Sequence, residues 1–98
     1  MNQQEHFHTG KRLALARKIS GIKQEMIIEM PGFPQIDVRT VRGWERKGIN
    51  LMRLKEVADF FGVSLTVFID PDLTPSQFMN AIAEAINQHN QEASKIAI

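Results

Sequence analysis

Cysteine is absent from this 98-residue chain, and the absence excludes two common ways of stabilising a small protein. Neither disulfide bonds nor thiolate zinc sites are available. Two histidines lie close together near the N-terminus, His6 and His8. No third ligand accompanies them, so we expect a polar tail and no metal site. A protein without disulfides fits the reducing cytoplasm, which is the expected compartment.

Long apolar runs and enzyme motifs are also missing. No stretch approaches the roughly 20 apolar residues of a transmembrane helix, and the N-terminus lacks the pattern of a secretory signal. The chain has no glycine-rich phosphate loop and no nucleophile with an evident base. Asp70 and Asp72 flank a proline and are typical of a turn. We therefore expect no enzyme activity, no cofactor, no small-molecule substrate and no membrane association.

The residues that are present indicate one globular domain with an uneven charge. Hydrophobic residues make up 43% of the chain, and a chain of this length buries a single core. Residues 1–50 carry nine Lys or Arg against five Asp or Glu, whereas residues 51–98 carry three against six. A basic front half is expected if it meets a polyanion, while the acidic back half serves another purpose such as self-association.

The most informative stretch is residues 37–48, whose pattern predicts a short helix. Asp37 is a suitable N-cap, and Gly48 is the kind of residue that ends a helix. At about 100° per residue, Val41 and Trp44 fall on one side of this helix. Three arginines fall on nearly the opposite side: Arg39, Arg42 and Arg46. The pattern indicates one face packed on a core and another turned toward an anion.

Two interpretations of the arginine face remain open at this point. A solvated basic surface is the simpler one, since most charged residues are exposed. Nucleic acid is favoured because no carboxylate lies among the arginines of this helix, and because a guanidinium reaches a phosphate or a guanine edge with two hydrogen bonds. Glu45 lies toward the apolar side. It is the candidate partner of Arg17, which lies beside the apolar stripe of the preceding helix.

Two helices are predicted before this stretch. The first covers residues 10–19, with Thr9 as a candidate N-cap. The second covers residues 23–29 and ends where two prolines and a glycine punctuate residues 30–35. The second helix, the turn and the helix at 37–48 form a helix-turn-helix pattern.

The second half of the chain predicts three more helices. Asn50 caps one over residues 51–61, and Ser64 caps a short apolar one over residues 65–69, for which a strand is the competing interpretation. Thr74 opens a last helix with a coiled-coil-like stripe. The stripe consists of Phe78, Ile82, Ala85, His89, Ala93 and Ile96. It fits both a helix folded back on its own domain and a dimer arm.

Four short segments then occur in a familiar order: Arg17-Lys18, Gly21-Ile22-Lys23-Gln24-Glu25, Trp44-Glu45-Arg46 and Phe60-Phe61-Gly62-Val63-Ser64-Leu65. With them, residues 10–69 resemble the lambda-repressor/Cro-like helix-turn-helix family, also called the XRE family. The turn Met30-Pro31-Gly32-Phe33-Pro34, followed by Val38-Arg39 and Trp44, also resembles the DNA-binding domain of Mu-type phage repressors. Both resemblances imply DNA binding, and the second also points toward a phage or prophage origin. The chain departs from the first family in its longer turn and in the bulky Ile28 on the second helix.

The resemblance implies an all-α fold, a compact bundle of five helices with a C-terminal helix added. It also implies that Gln24 caps the second helix and touches DNA backbone or base, and that Arg17 pairs with Glu45. The implied groove-facing residues are Gln24, Val38, Arg39, Arg42 and Gly43. The residues implied to lie near phosphates are Arg46, Lys47, Asn50 and Arg53, to which we add Lys23.

We therefore expect a sequence-specific transcriptional regulator that binds double-stranded DNA at a palindromic operator as a homodimer. Arg39 and Arg42 are expected to read base edges, guanine above all, and Val38 to touch a thymine methyl. The candidate dimer residues are Phe68, Ile69, Phe78 and Ile82. The expected organisation is an N-terminal arm at residues 1–9, a DNA-binding domain at 10–70 and a C-terminal helix at 74–98.

A rival hypothesis from another class is a helix-turn-helix module that binds a protein partner instead of DNA, as an antirepressor or antitoxin-like protein does. The net charge of only +1 favours it, as do Gly43 at a reading position and the apolar back half. The arginine face of residues 37–48 opposes it. Fold alone does not decide between the two.

Overall fold

The computed structural model describes residues 7–97, and of these it describes the side chains of residues 7–88. Six helices follow one another in this part of the chain: α1 (Thr9–Ile19), α2 (Gln24–Ile27), α3 (Val38–Lys47), α4 (Leu51–Phe61), α5 (Leu65–Ile69) and α6 (Pro75–Ala97). The described residues contain no strand, so the all-α class is confirmed. The competing strand interpretation of residues 65–69 is wrong.

The start of α1 differs from the prediction. His8, not Thr9, is the N-cap, and its Nδ1 accepts hydrogen bonds from the backbone amides of Gly10 and Lys11 at 3.0 and 3.3 Å. The Thr9 hydroxyl instead accepts a hydrogen bond from the Ile49 amide at 2.8 Å. The beginning of α1 is therefore tied to the connection between α3 and α4.

The predicted arm at residues 1–9 is too long at its C-terminal end. The Phe7 ring packs edge-on against the Phe78 ring, with 5.7 Å between their centroids, and His8 and Thr9 take part in the structure of α1. Residues 1–6 of the predicted arm, with His6 among them, lie outside the described residues.

One apolar core draws on every helix. Val41 and Trp44, the apolar residues predicted for the inner face of α3, are buried, whereas Leu51 at the first position of α4 is 78% exposed. The buried hydrophobic residues are Leu13, Ala16, Ile27, Phe33, Val41, Trp44, Ile49, Leu54, Val57, Ala58, Phe61, Phe68, Phe78 and Ile82.

Three of the four candidate dimer residues belong to the core and cannot form a contact between two copies. Phe68, Phe78 and Ile82 are fully buried within the chain itself, and α6 packs against α1, α4 and α5. The first part of α6 is thus folded back onto its own domain, and its stripe is satisfied there. Ile69 alone among the four is exposed, at 47%.

A buried arginine closes the bundle at the end of α5. Arg12 on α1 is only 3% exposed, and its guanidinium donates hydrogen bonds to the carbonyl oxygens of Phe7, Val67 and Asp70 at 2.7–2.9 Å. It also lies over the Phe7 ring. Burial lowers the pKa of Arg12, and the nearby charge of Asp70 partly offsets this. The guanidinium thus joins the start of α1 to the end of α5, two segments that are distant in sequence.

Replacing Arg12 with alanine is expected to lower the free energy of unfolding by about 3 kcal/mol, because it leaves three carbonyl oxygens without their donor. Urea unfolding measures the loss. Lys18→Ala removes an exposed cation from the same helix and is expected to change the free energy by less than about 0.5 kcal/mol. Equal effects of the two variants would show that the Arg12 contacts contribute little.

Candidate nucleic-acid interface

Helix α3 begins and ends where its sequence predicts. The Asp37 carboxylate accepts hydrogen bonds from the Thr40 amide at 2.9 Å and from the Thr40 hydroxyl at 3.1 Å. These two bonds, and more weakly the charge of Arg39, hold the pKa of Asp37 below its usual value. The cap therefore stays ionised at neutral pH. At the other end, Gly48 has a φ of 115°, which glycine adopts without strain and which ends the helix.

The two faces of α3 have the environments that their residue types require. Val41 and Trp44 are buried, and α3 packs against α1 and α2. On the opposite face the Arg39 side chain is 85% exposed and the Arg42 side chain 50%. Arg46 and Lys47 are exposed at the C-terminal end. The structure thus presents a row of four cations to solvent along a helix that the core holds in place.

A hydrogen-bonded network connects the core side of α3 to its outer side. Arg17 donates through Nε and Nη2 to the two carboxylate oxygens of Glu45, at 2.8 and 3.1 Å, so the expected ion pair is present. Gln24 donates through Nε2 to Glu45 at 2.9 Å. The Gln24 carbonyl oxygen accepts a hydrogen bond from Arg42 Nε at 3.3 Å. We call these four side chains the Arg17–Arg42 network.

The position of Gln24 corrects its implied role as the cap of the second helix, while the implied contact with DNA stays a prediction. The N-cap of α2 is Lys23, which makes no side-chain capping bond. Both ends of the Gln24 amide instead bond within the protein, one to Glu45 and one to Arg42. Gln24 therefore holds a cation of α3 in position. Sequence reasoning missed this because the bonds join residues 18 and 21 positions apart.

The arginine face carries more negative charge than α3 alone indicates. Asp37 lies 3.5 Å from Arg39, and Glu25 on α2 lies 3.8 Å from Arg42. All four side chains are at least half exposed, and ion pairs in water are worth about 0–1 kcal/mol. A ligand anion can therefore replace these carboxylates at small cost.

The remaining candidate residues differ in how exposed they are and in whether they are already bonded within the protein. Lys23 is exposed at the start of α2, while Val38 and Gly43 are partly buried on α3. Asn50 caps α4 by accepting a hydrogen bond from the Met52 amide at 2.9 Å. Arg53 is bonded to Glu56 at 2.9 Å, one turn further along α4. An anion near Arg53 competes with that carboxylate.

The long turn between α2 and α3 is folded into the protein. Helix α2 ends at Ile27, two residues earlier than predicted, and Phe33 and Pro34 are buried. The Phe33 ring packs edge-on against Phe60 of α4, with centroids 5.2 Å apart. The extra residues of the turn therefore pack against α4, and the contact between α2 and α3 is kept.

Replacing Glu45 with alanine is expected to lower the free energy of unfolding by about 3 kcal/mol, because Arg17 then keeps a mostly buried charge without its partner. Chemical denaturation measures it. The matched control is Asp59→Ala, which breaks the exposed pair with Lys55 and should cost less than about 1 kcal/mol. A Glu45 variant no less stable than the Asp59 variant would contradict the expectation.

Comparison of the chain with family models, with curated proteins and with solved structures found no match. Within the described residues, no three His, Asp or Glu side chains are grouped so that they could hold a metal ion. The helices in that part of the chain do not combine the length and apolarity needed to cross a membrane. The case for a function therefore depends on the geometry around α3.

Proposed function

We propose that this protein is a sequence-specific DNA-binding transcriptional regulator that binds a palindromic operator as a homodimer, and that α3 is its reading helix. The observation that carries the proposal is the placement of Arg42. Its Nε is held by Gln24, and Gln24 is held by a carboxylate anchored at the core. A solvated basic surface needs no such support.

The hydrogen bond from Arg42 to Gln24 fixes which end of the guanidinium can face a base. With Nε bonded to Gln24, the two terminal nitrogens at the far end of the guanidinium are the ones left to face a ligand. Two parallel hydrogen bonds from such an end match O6 and N7 of guanine in the major groove. Only the exposed contact with Glu25 at 3.8 Å has to be given up. Arg42 therefore reads guanine with little loss of side-chain freedom on binding.

The neighbouring residues take supporting roles in this proposal. Arg39, one turn before Gly43 and largely exposed, reads a second base edge, and Val38 touches a thymine methyl. The cations at the rim hold phosphates and fix the register of α3 in the groove. These residues are Lys23, Arg46, Lys47 and Arg53, together with the Asn50 side chain.

Two copies are required because one short helix reads too few bases to find its site among the competing sites of a genome. Of the candidate dimer residues, only Ile69 is left at the surface, at 47% exposure. Leu65 lies one turn earlier on α5 and is also exposed. We propose that this face of α5 forms the contact between the two copies.

A protein partner is the second candidate function, and one observation favours it. Leu51 and Met52 are both strongly exposed at the start of α4, directly after Asn50. Apolar side chains next to a basic helix are typical of surfaces that contact proteins. In this alternative the cations of α3 meet an acidic protein and not DNA.

The deciding experiment is selection of bound duplexes from a random pool at physiological salt. We expect an inverted repeat containing guanine in each half-site. Arg42→Ala is expected to remove the preference at one guanine and to weaken binding to that site about tenfold, within the range for loss of a two-bond contact to a base. Arg39→Ala should do the same at a different position.

The control in this experiment is Lys55→Ala, which removes one positive charge from α4 away from α3. It is expected to select the same motif as the wild type. If the wild type enriches no motif and binds random duplex only weakly at low salt, the DNA proposal is wrong, and the protein-partner alternative takes its place.

Analytical ultracentrifugation tests the proposed dimer contact. Ile69→Asp places a charge on the exposed face of α5 and is expected to shift the protein from dimer to monomer and to weaken operator binding. Met79→Asp introduces the same charge at an exposed apolar residue of α6 and should leave the dimer intact. Dissociation by the Met79 variant alone would place the contact on α6.

A further inference from the structure

Gly43 lies in the middle of α3, where glycine is an unfavourable choice. Glycine destabilises the interior of a helix relative to alanine, because its backbone loses more freedom on folding. A glycine that persists at such a position needs a reason in the fold or in the function. The structure allows the two reasons to be separated.

The fold does not require glycine at this position. The described glycines with positive φ are Gly21, Gly32, Gly48 and Gly62, so Gly43 has backbone angles that any residue adopts. A Cβ added at Gly43 would meet no atom within 4 Å. Gly10 shows the contrast, since a Cβ there would overlap the carbonyl oxygen of Trp44. Gly10 is needed for packing, and Gly43 is not.

Gly43 therefore leaves a gap in the basic face of α3. At about 100° per residue, it falls between Arg39 and Lys47, each one turn away, and beside Arg42. The side chains on either side are long and cationic, whereas a Cβ at Gly43 would point into empty space. The gap is one side chain wide.

We propose that this gap receives the 5-methyl group of a thymine, next to the base that Arg42 reads. The inference rests on the proposed DNA-binding function. A helix with its side chains measures about 10–12 Å across and the major groove about 12 Å, so a missing side chain lets α3 approach the floor of the groove more closely. The arginines on either side then reach the base edges.

The chemistry of the gap selects thymine among the four bases. Backbone amides and carbonyls in the middle of a helix are already bonded to one another, so the gap offers only the apolar surface of Cα. The hydrogen-bond donors and acceptors on the floor of the major groove need polar partners. Thymine alone carries a methyl group there, where cytosine has only a C5–H that is too small to fill the gap.

The test adds a methyl group to the protein at residue 43 and removes the methyl group of a thymine from the operator. Gly43→Ala is expected to raise the thermal midpoint and to weaken binding to the selected operator by about fivefold or more, the low end for a mismatched base pair. Each operator thymine is then replaced in turn with deoxyuridine, which lacks the methyl. At one thymine per half-site, this change should weaken wild-type binding and restore binding by Gly43→Ala.

The matched control is Asn80→Ala, which improves helix propensity at an exposed position of α6. It should raise the thermal midpoint and leave operator affinity unchanged. If the wild type binds its operator but Gly43→Ala binds it equally well, or if no thymine shows the reciprocal effect, the inference is wrong and the proposed function stands. A lower midpoint for Gly43→Ala would also overturn it, because the glycine would then be structural. If the wild type selects no motif at all, both this inference and the proposed DNA-binding function are wrong.

Discussion

The Glu45 carboxylate is the point on which the arrangement around α3 depends. It accepts hydrogen bonds from Arg17 on α1 and from Gln24 on α2, while its own backbone belongs to α3. Three helices therefore meet at one charged group that is almost removed from solvent. A buried carboxylate is tolerated only when its oxygens are bonded in this way. Because each bond has a preferred direction, the network also fixes how the three helices are oriented.

The positive charge of the protein is small, and part of it is offset by nearby carboxylates. A net charge of +1 is small for a protein that binds a polyanion, and carboxylates lie near both Arg39 and Arg42. Under the proposed function, we therefore expect weak non-specific attraction to phosphates, since that attraction grows with the number of phosphates neutralised. Recognition under the proposed function depends on a few directed hydrogen bonds and on the shape of α3. Such a surface favours discrimination among sequences over tight binding to any DNA.

The sequence predicts α3 well because its determinants are local. The helix is defined by its two ends, Asp37 and Gly48, and by the buried pair Val41 and Trp44 between them. Their pattern can therefore be recognised in the sequence without knowledge of the fold. The Arg17–Glu45 pair was also predictable, since an arginine beside an apolar stripe needs a partner. All-α architecture follows from the same periodicities.

Other features depend on contacts that no local pattern records. His8 takes the cap position because Thr9 is bonded to Ile49, far along the chain. The apolar stripe of α6 is the same whether its own domain or a second copy covers it, and only the packing of Phe78 and Ile82 decides between the two. The hydrogen bonds of Gln24 to Glu45 and Arg42 could not be read from the sequence, because they join residues 21 and 18 positions apart that only the fold brings together.

The contact between Gly10 and the Trp44 carbonyl has a consequence for how α3 binds. With no side chain between them, the backbones of α1 and α3 touch directly, and the Thr9–Ile49 hydrogen bond fastens the same end of the helix. A tilt or slide of α3 against α1 would have to break these two contacts. Under the proposed function, DNA binding therefore has little backbone motion of α3 to freeze, and the entropic cost falls mainly on the exposed side chains. A DNA site that does not match the helix must then deform, so the stiffness of that site becomes part of its selection.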